Sequence, residues 1–571
     1  MRKYLSLILV FFILTMSMPV SAGVGVKATV TESAIFVDGR QVWINGFSIS
    51  GYNYFKLRDI AEILSGTTSQ FDVSWNGQRN TIEIVTGKPY DNIELYNKYY
   101  NSRKSYTLVK STSKILLNGI EKSITAYTID GYNYFKLRDL AELIPFDVEW
   151  DGVNNSILIY SKTPDNAYRV KTAFDVNENT KTPYFSRWSG TTLSFLVDNK
   201  DGSISVVEAN EYNKKVTIEI YDQQYNLISY KSIDFELPYF GSYYSGEKYN
   251  YIAYGDSNRE EKDDKEVIRI VRYDKEFNRV DSISINGGES YTIVPFRASS
   301  GRMMEHDNTL IFHTSRLRYT TEDGLNHQSQ LTLIIDTESM RVINYLGRFQ
   351  SNHVSHSFGQ FVQFDGSHHV LVDHGDAYPR SVVLHKSNYI SGYNVDYTVV
   401  DLFPIPGKIG ANCTGVSIGG FEISSGSYIV AMNSVDHSLV TEYTDFVLKG
   451  IEKDQRDIFI CSVPKNKLSK EYVKQTMLAR YTGSEKIGSV PQLVKISDDK
   501  MMVLWQEFNI SGKPGALKYV FIDENGEPCT EVESVYNFRL SECKPIVIRD
   551  SVVWYTNDNG LRYFYSIPLT T

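Results

Sequence analysis

No histidine precedes His306, and all ten histidines of the chain fall between His306 and His437. Cysteine is scarce too, with Cys413, Cys461, Cys529 and Cys543 all in the last third. The residues before His306 therefore offer a metal neither imidazole nor thiolate. A chain of 571 residues can bury enough apolar surface to fold without disulfides. Four thiols so far apart are not a disulfide framework, although one bridge stays open and spacing does not say which. Basic charge is in deficit: 59 Lys and Arg stand against 68 Asp and Glu, a net charge of -9. No positive field exists to gather nucleic acid or anionic lipid. Beyond the first twenty or so residues no apolar run is long enough to span a bilayer, so the mature chain is expected to have no stable membrane insertion.

What is present begins with export. Arg2 and Lys3 give a positive start, Tyr4 to Val20 is nearly all apolar, and Val20-Ser21-Ala22 supplies the small residues that signal peptidase accepts. The reading is a signal peptide over 1–22, a mature start near Gly23 and a secreted or cell-surface location. An uncleaved anchor is the competing reading, and Pro19 followed by small residues argues against it.

Twelve residues then occur twice, eighty positions apart. Gly51-Tyr52-Asn53-Tyr54-Phe55-Lys56-Leu57-Arg58-Asp59-Ile60-Ala61-Glu62 returns from Gly131 to Glu142 with only Ile60 replaced, by Leu140. A fixed offset marks a duplicated folding unit, which places repeats over 28–86 and 106–160. Asp38-Gly39 and Asn118-Gly119 are hairpin turns by composition. Leu57, Ile60, Ala61 and Leu64 fall at i, i+3, i+4 and i+7, one apolar helix face. Each repeat closes on an aromatic hairpin, Phe71-Asp72-Val73-Ser74-Trp75-Asn76-Gly77 and Phe146-Asp147-Val148-Glu149-Trp150-Asp151-Gly152. Alternation there predicts that Trp75 and Trp150 pack on the helix, with Asn76-Gly77 and Asp151-Gly152 as the turns.

At these residues the sequence resembles the copper amine oxidase N-terminal-like domain, or stalk domain, found singly or in tandem in secreted bacterial proteins. The resemblance implies a helix wrapped by a small antiparallel sheet, with no metal site of its own. Oxidase chemistry belongs to a different domain of that family. It would need a Tyr in an Asn-Tyr-[Asp/Glu] context and three histidine ligands, and Asn53-Tyr54-Phe55 and Asn133-Tyr134-Phe135 depart from that context. The chain is not read as a copper amine oxidase, and no cofactor is assigned.

From about Asn166 onward β-branched and aromatic alternations recur between turns, which predicts an all-β domain over 166–571. Ile220-Tyr221-Asp222-Gln223-Gln224-Tyr225-Asn226 returns as Arg272-Tyr273-Asp274-Lys275-Glu276-Phe277-Asn278 fifty-two residues later. A period near fifty fits four strands per propeller blade. The fold class is thus α+β tandem repeats followed by a β-propeller, with seven blades favoured. Inner strands are read at 193–198, 249–254, 309–314, 369–374, 428–433, 501–506 and 551–556. The last unit is one strand short, and Tyr168 to Ala173 can supply it, because a closed ring abolishes sheet edges. Stacked sandwiches are the alternative, but they call for domain linkers that are not evident.

Candidate chemistry gathers in the third and fourth units. Ser355-His356-Ser357-Phe358 and Asp373-His374-Gly375-Asp376-Ala377-Tyr378-Pro379-Arg380 are read as connections on one face, with His313 ending a strand toward it. His313, His353, His356, Asp373, His374, Asp376 and Arg380 are then expected to converge as a ligand site suited to a zinc-like ion or to acid/base work. The competing reading is a hydrogen-bonded turn fixed by an Arg380–Asp376 pair. Gly415-Val416-Ser417-Ile418-Gly419 lacks the strand-turn-helix context of a nucleophile elbow, and Asp198-Asn199-Lys200-Asp201-Gly202 reads as a turn rather than a calcium loop. The functional expectation is an exported, non-enzymatic protein that presents a propeller to an extracellular glycan or protein ligand. The alternative is a secreted hydrolase or lyase acting on glycans through the His/Asp-rich face.

Overall fold

The computed structural model describes residues 27–90, 104–391 and 394–569; the segment 1–22, read from the sequence as a signal peptide, lies outside them. The chain divides between Lys162 and Thr163 into two compact units.

In the first unit, Ser50 and Asp130 take φ of 51° and 50°, and Gly51 and Gly131 follow at 81° and 85°. Two successive left-handed residues make the tight hairpin turn whose twist suits its strands. The duplicated segment therefore folds as Gly46–Ile49 against Tyr52–Lys56, and again as Ala126–Ile129 against Tyr132–Lys136. The two Tyr-Asn-Tyr-Phe-Lys strands then pair with each other antiparallel, Phe55 opposite Phe135, Lys56 opposite Tyr134 and Tyr54 opposite Lys136. Pairing centred on a residue and its own copy is a pseudo-two-fold axis, across which the contact of i with j recurs as j with i. Lys136 Nζ accordingly lies 4.0 Å from the Tyr52 ring centroid, and Lys56 Nζ 4.6 Å from that of Tyr132.

The repeats are not closed upon themselves. Thr81–Thr86 of the first pairs in parallel with Lys114–Leu117 of the second, while Ser156–Ser161 of the second pairs with Ala34–Val37 of the first. One core serves both, built from Phe55, Leu64 and Phe71 with Phe135, Leu140 and Phe146. The helix Leu57–Leu64 buries Leu57, Ile60, Ala61 and Leu64, as its spacing predicts. Its partner Leu137–Ala141 is shorter, since Pro145 soon removes a backbone donor. Two local expectations change. The closing hairpins turn through four residues and end at Asn80 and Asn155, which take φ of 47° and 49°. Trp75 and Trp150 lie near the turn ends of those hairpins and are 47% and 49% exposed rather than packed on the helices.

The second unit is built of consecutive antiparallel strands. Ser194–Asp198, Ile204–Asn210, Lys215–Tyr221 and Leu227–Asp234 make the first sheet, and the meander recurs along the chain. The final sheet, Ile546–Ile548, Ser551–Asp558 and Leu561–Pro568, takes its fourth strand, Ala167–Val170, from the start of the unit. Apolar clusters fill the space between neighbouring sheets, including last against first, where Val553, Tyr555 and Phe564 pack on Leu196, Val206 and Tyr221. Meanders packed face to face, with the first strand bonded into the last sheet, define a β-propeller-type fold.

Six of the segments read as inner strands are instead second strands of their meanders, among them Asn250–Gly255, Ser427–Ser434 and His368–Ala377, the last in a nine-stranded sheet whose two meanders, the third and fourth in chain order, join at one Ser329–Ser355 pair. A second strand is flanked on both edges and covered on both faces, so it carries the longest buried run. First strands such as Lys486–Gly488 and Ile546–Ile548 are too short to show a pattern. Between Val170 and Ser194 the chain has no strand, only a bridge from Thr180 to Ser541. It crosses from the last sheet toward the third. Lys181 N donates to Leu540 O at 2.8 Å, Ser189 N to Phe358 O at 3.0 Å, and Arg302 Nη1 to Thr192 Oγ1 at 2.5 Å.

Candidate functional sites

Sequence reading put Ser355–Phe358 and Asp373–Arg380 in connections; the structure puts them in strands. His356 is the second residue of Ser355–Asp365, and Asp373, His374 and Asp376 belong to His368–Ala377. Arg380 opens Arg380–Ser391, which leaves only Tyr378 and Pro379 as the turn. His313 lies inside Thr309–Thr320, and His353 stands just ahead of Ser355. His313, Asp373, His374, Asp376 and Arg380 are consequently buried. The seven residues fall into separate groups rather than one open cluster.

The deepest group is a hydrogen-bonded chain joining the third and fourth meanders, the two halves of the nine-stranded sheet. Asn352 Nδ2 donates to Thr332 Oγ1 at 2.9 Å, and Thr332 Oγ1 meets His313 Nδ1 at 2.9 Å. His313 Nε2 lies 3.0 Å from Asp373 Oδ2, while Ser357 Oγ donates to Asp373 Oδ1 at 2.6 Å and Gln360 Nε2 to Ser357 Oγ at 2.7 Å. A proton on His313 Nε2 is donated to the Asp373 carboxylate. Burial alone would raise the Asp373 carboxyl, but His313 and the two hydrogen bonds hold it below its usual value. Serine, histidine and aspartate are all present, yet the hydroxyl donates to the carboxylate instead of to the imidazole. The imidazole does not draw the serine proton, so the three residues are not arranged as a Ser-His-Asp triad.

His374 is tied to Thr414 Oγ1 at 2.9 Å, and burial, aided by Arg456 and Arg380, pushes its pKa down to about 3. Arg380 does not pair with the Asp376 carboxylate. It donates to the backbone oxygens of Pro406 at 3.0 Å and Ala411 at 2.6 Å, which fixes the chain that follows Pro404. The pair nearest solvent is His356 with Asp376. His356 Nδ1 lies 2.9 Å from Asp376 Oδ1, its side chain is 25% exposed, and its φ is 54°. A left-handed histidine carries backbone strain, and Asp376 Oδ2 has no protein partner. Among the described residues no group of three or more His, Cys, Asp or Glu is arranged to hold a metal ion, and the four cysteines are unbridged.

An open feature lies elsewhere, in the tandem-repeat unit. A groove of about 710 Å³ runs beside Tyr52, Asn53, Lys136, Glu149, Trp150 and Asn155. Its parts follow from the duplicated motif. The Ser50-Gly51 turn delivers Tyr52 half-exposed, Thr31 Oγ1 donates to Asn53 Oδ1 at 2.9 Å, and Lys136 arrives from the other repeat over the Tyr52 ring. The axis repeats the residues at Tyr132, Asn133, Lys56 and Trp75, but Ser111 stands where Thr31 does, and Asn133 Oδ1 instead accepts from Thr128 Oγ1 at 2.9 Å. One wall differs, because Glu32 and Glu149 have Thr112 and Ser74 as counterparts. Sequence reading named both tryptophans but assigned them to the core, so it missed the groove.

No protein-family profile matches the chain, and no curated protein does. Among solved structures, Drosophila Semaphorin 1a extracellular domains 1-2 match at 8% identity and a TM-score of 0.39, over 69% of this chain and 88% of that one. The β-propeller domain of the Trilobed protease from Pyrococcus furiosus matches at 13% and 0.29, over 67% and 97%. An ACO/RPE65 chimera matches at 10% and 0.28 over 61% of this chain, and the match spans 63% of the chimera's length. Likeness this distant carries no functional argument, and the fold assignment rests on the sheets themselves.

Proposed function

We propose that this is an exported, non-enzymatic binding protein, made of tandem stalk-like α+β repeats and a seven-bladed propeller, whose ligand is an extracellular glycan. The observation that carries the reading is the groove at Trp150, and the duplication sets an equivalent group of residues around Trp75. A half-exposed indole offers a flat apolar face to a sugar ring, while lysine, asparagine and carboxylate beside it offer donors and acceptors to the hydroxyls. Seven blades follow if the nine-stranded sheet, whose two meanders join at the single Ser329–Ser355 pair, counts as two beside the five-stranded sheet and the four four-stranded ones, the last of these completed by Ala167–Val170. The hydrogen-bonded saturation of His313, Asp373 and His374 supports a structural role for the histidine-rich sheets.

The test is calorimetric titration of the full mature chain with chito-, cello- and manno-oligosaccharides. The reading expects at least one series to bind and the double variant Trp75→Ala, Trp150→Ala to lose that binding with its fold intact. Unaltered binding by the double variant contradicts it. One observation favours the hydrolase or lyase alternative. His356, oriented through Nδ1 by Asp376, has Nε2 left for acid/base work. Product release from any of the same glycans that disappears in His356→Ala would establish that alternative.

A further inference from the structure

Arg316-Leu317-Arg318 interrupts an apolar strand with two cations on one face, since residues two apart on a strand point the same way. Both are buried, Arg316 at 1% and Arg318 at 4% exposure. Neither meets a carboxylate. Arg316 Nη2 donates to Gly347 O at 2.8 Å, and each side chain reaches Arg348 O only at 3.4 Å. Arg316 Nε and Nη1, Arg318 Nε and His353 Nδ1 are buried without any protein partner. Two like charges taken from water together, with three guanidinium nitrogens unused, is a costly arrangement that a bound counter-charge would relieve.

The surroundings suit such a ligand. Phe349 is 49% exposed, and the Arg318 and Arg348 guanidinium carbons lie 4.6 Å and 5.5 Å from its ring centroid. His353 meets the same ring edge-on at 4.9 Å. The connection supplying Phe349 and the accepting carbonyls turns at Gly347, whose φ is 27° and where a Cβ would strike the Tyr345 ring. The carboxylate that acts on His353, Asp373, is already engaged by His313 and Ser357. Burial, together with each neighbouring arginine, pushes Arg316 down to about 9 and Arg318 to about 10.

We infer that Arg316, Arg318, Arg348 and His353 form an oxyanion-binding site on the propeller unit, which takes a carboxylate, phosphate or sulfate group with Phe349 as its apolar wall. The guanidinium fork matches the geometry of such a group and is the side chain suited to bidentate recognition. The site belongs to a different unit from the glycan groove and stands independently of it.

The experiment is thermal unfolding and calorimetric titration of the full mature chain with galacturonate, inorganic phosphate and sulfate, at fixed pH and at ionic strength matched with chloride. Saturable binding of at least one probe with a rise in unfolding midpoint is expected. Arg318→Met should weaken that binding about tenfold or more. Arg316→Met should abolish it yet keep, or raise, the anion-free midpoint, because it removes an uncompensated buried charge. Galacturonate alone binding identifies a carboxylated sugar as the source; phosphate or sulfate identifies an ester group. Absence of saturable binding by all three probes overturns the inference, as does an anion response unchanged in the variants. The titration of the unsubstituted chain decides the matter even if a variant does not fold.

Discussion

Burial pushes His369 and His374 down to about 3 and His385 to about 4. Their unfolded counterparts titrate near 6.5. A folded pKa below the unfolded one means that the unfolded chain binds more protons between the two values. The stability these rings contribute is therefore complete above pH 6.5 and is lost as pH falls toward 4, by up to about 1.4 kcal/mol per pH unit for each. Guanidinium midpoints between pH 7.5 and 4.5 should decline, and His374→Gln should flatten the decline; an identical slope in the variant contradicts the assignment. At Trp75 and Trp150 the expectation is different. Half-exposed rings near hairpin turns carry little packing, so either alanine variant should change stability by less than about 0.5 kcal/mol in equilibrium unfolding. The crowding of histidine between His306 and His437 was legible in the sequence. The burial of those residues was not, because a strand covered on both faces can hold a polar residue wherever a partner stands opposite, such as Thr332 on the next strand or Thr414 in the connection before Val416, 19 and 40 residues away in sequence.

At the level of elements, the turns and the helix face were written locally. Asp38-Gly39 and Asn118-Gly119 both adopt the paired positive φ that their composition implies, and Leu57, Ile60, Ala61 and Leu64 face inward. The exchange of strands between repeats was not legible, because alternation tells a strand which face to bury and not which edge to join. Exchange has a consequence. Residues 28–86 alone would expose Ala34–Val37 and Thr81–Thr86 without their parallel partners, so that fragment should show no cooperative unfolding by circular dichroism, whereas 23–163 should. A cooperative transition in the single repeat would show that each closes on itself. Phe55 and Phe135 oppose each other at the axis and are fully buried, so Phe55→Ala and Phe135→Ala should each cost about 3 to 5 kcal/mol in the 23–163 fragment.

Over the propeller unit as a whole, closure is the feature that the period near fifty foretold, since a final unit lacking one strand had to find it at the other end of the chain. A second fastening had no sequence signature. Arg562 on the last long strand bonds Glu208 at 2.8 Å and also Glu219, both from the first sheet, while Tyr555 OH and Asn557 Nδ2 complete the Glu208 carboxylate at 2.9 Å and 2.5 Å. More than three hundred residues separate these partners, and nothing local marks them as a pair. Removing one member strands buried carboxylates, so Arg562→Met should destabilise the propeller unit by about 3 to 5 kcal/mol; a loss below 1 kcal/mol would mean that the apolar seam closes the unit alone.

The groove proposed to bind glycan owes its form to duplication rather than to the propeller, and duplication fixes a number. Titration of the full mature chain with a bound oligosaccharide should give two ligands per chain, of unequal affinity because Glu32 and Glu149 line the groove at Trp150 while Thr112 and Ser74 stand at the equivalent positions near Trp75. Trp75→Ala and Trp150→Ala should each remove one ligand and leave the other's affinity unchanged. A single ligand per chain, bound equally well by both variants, would contradict the account.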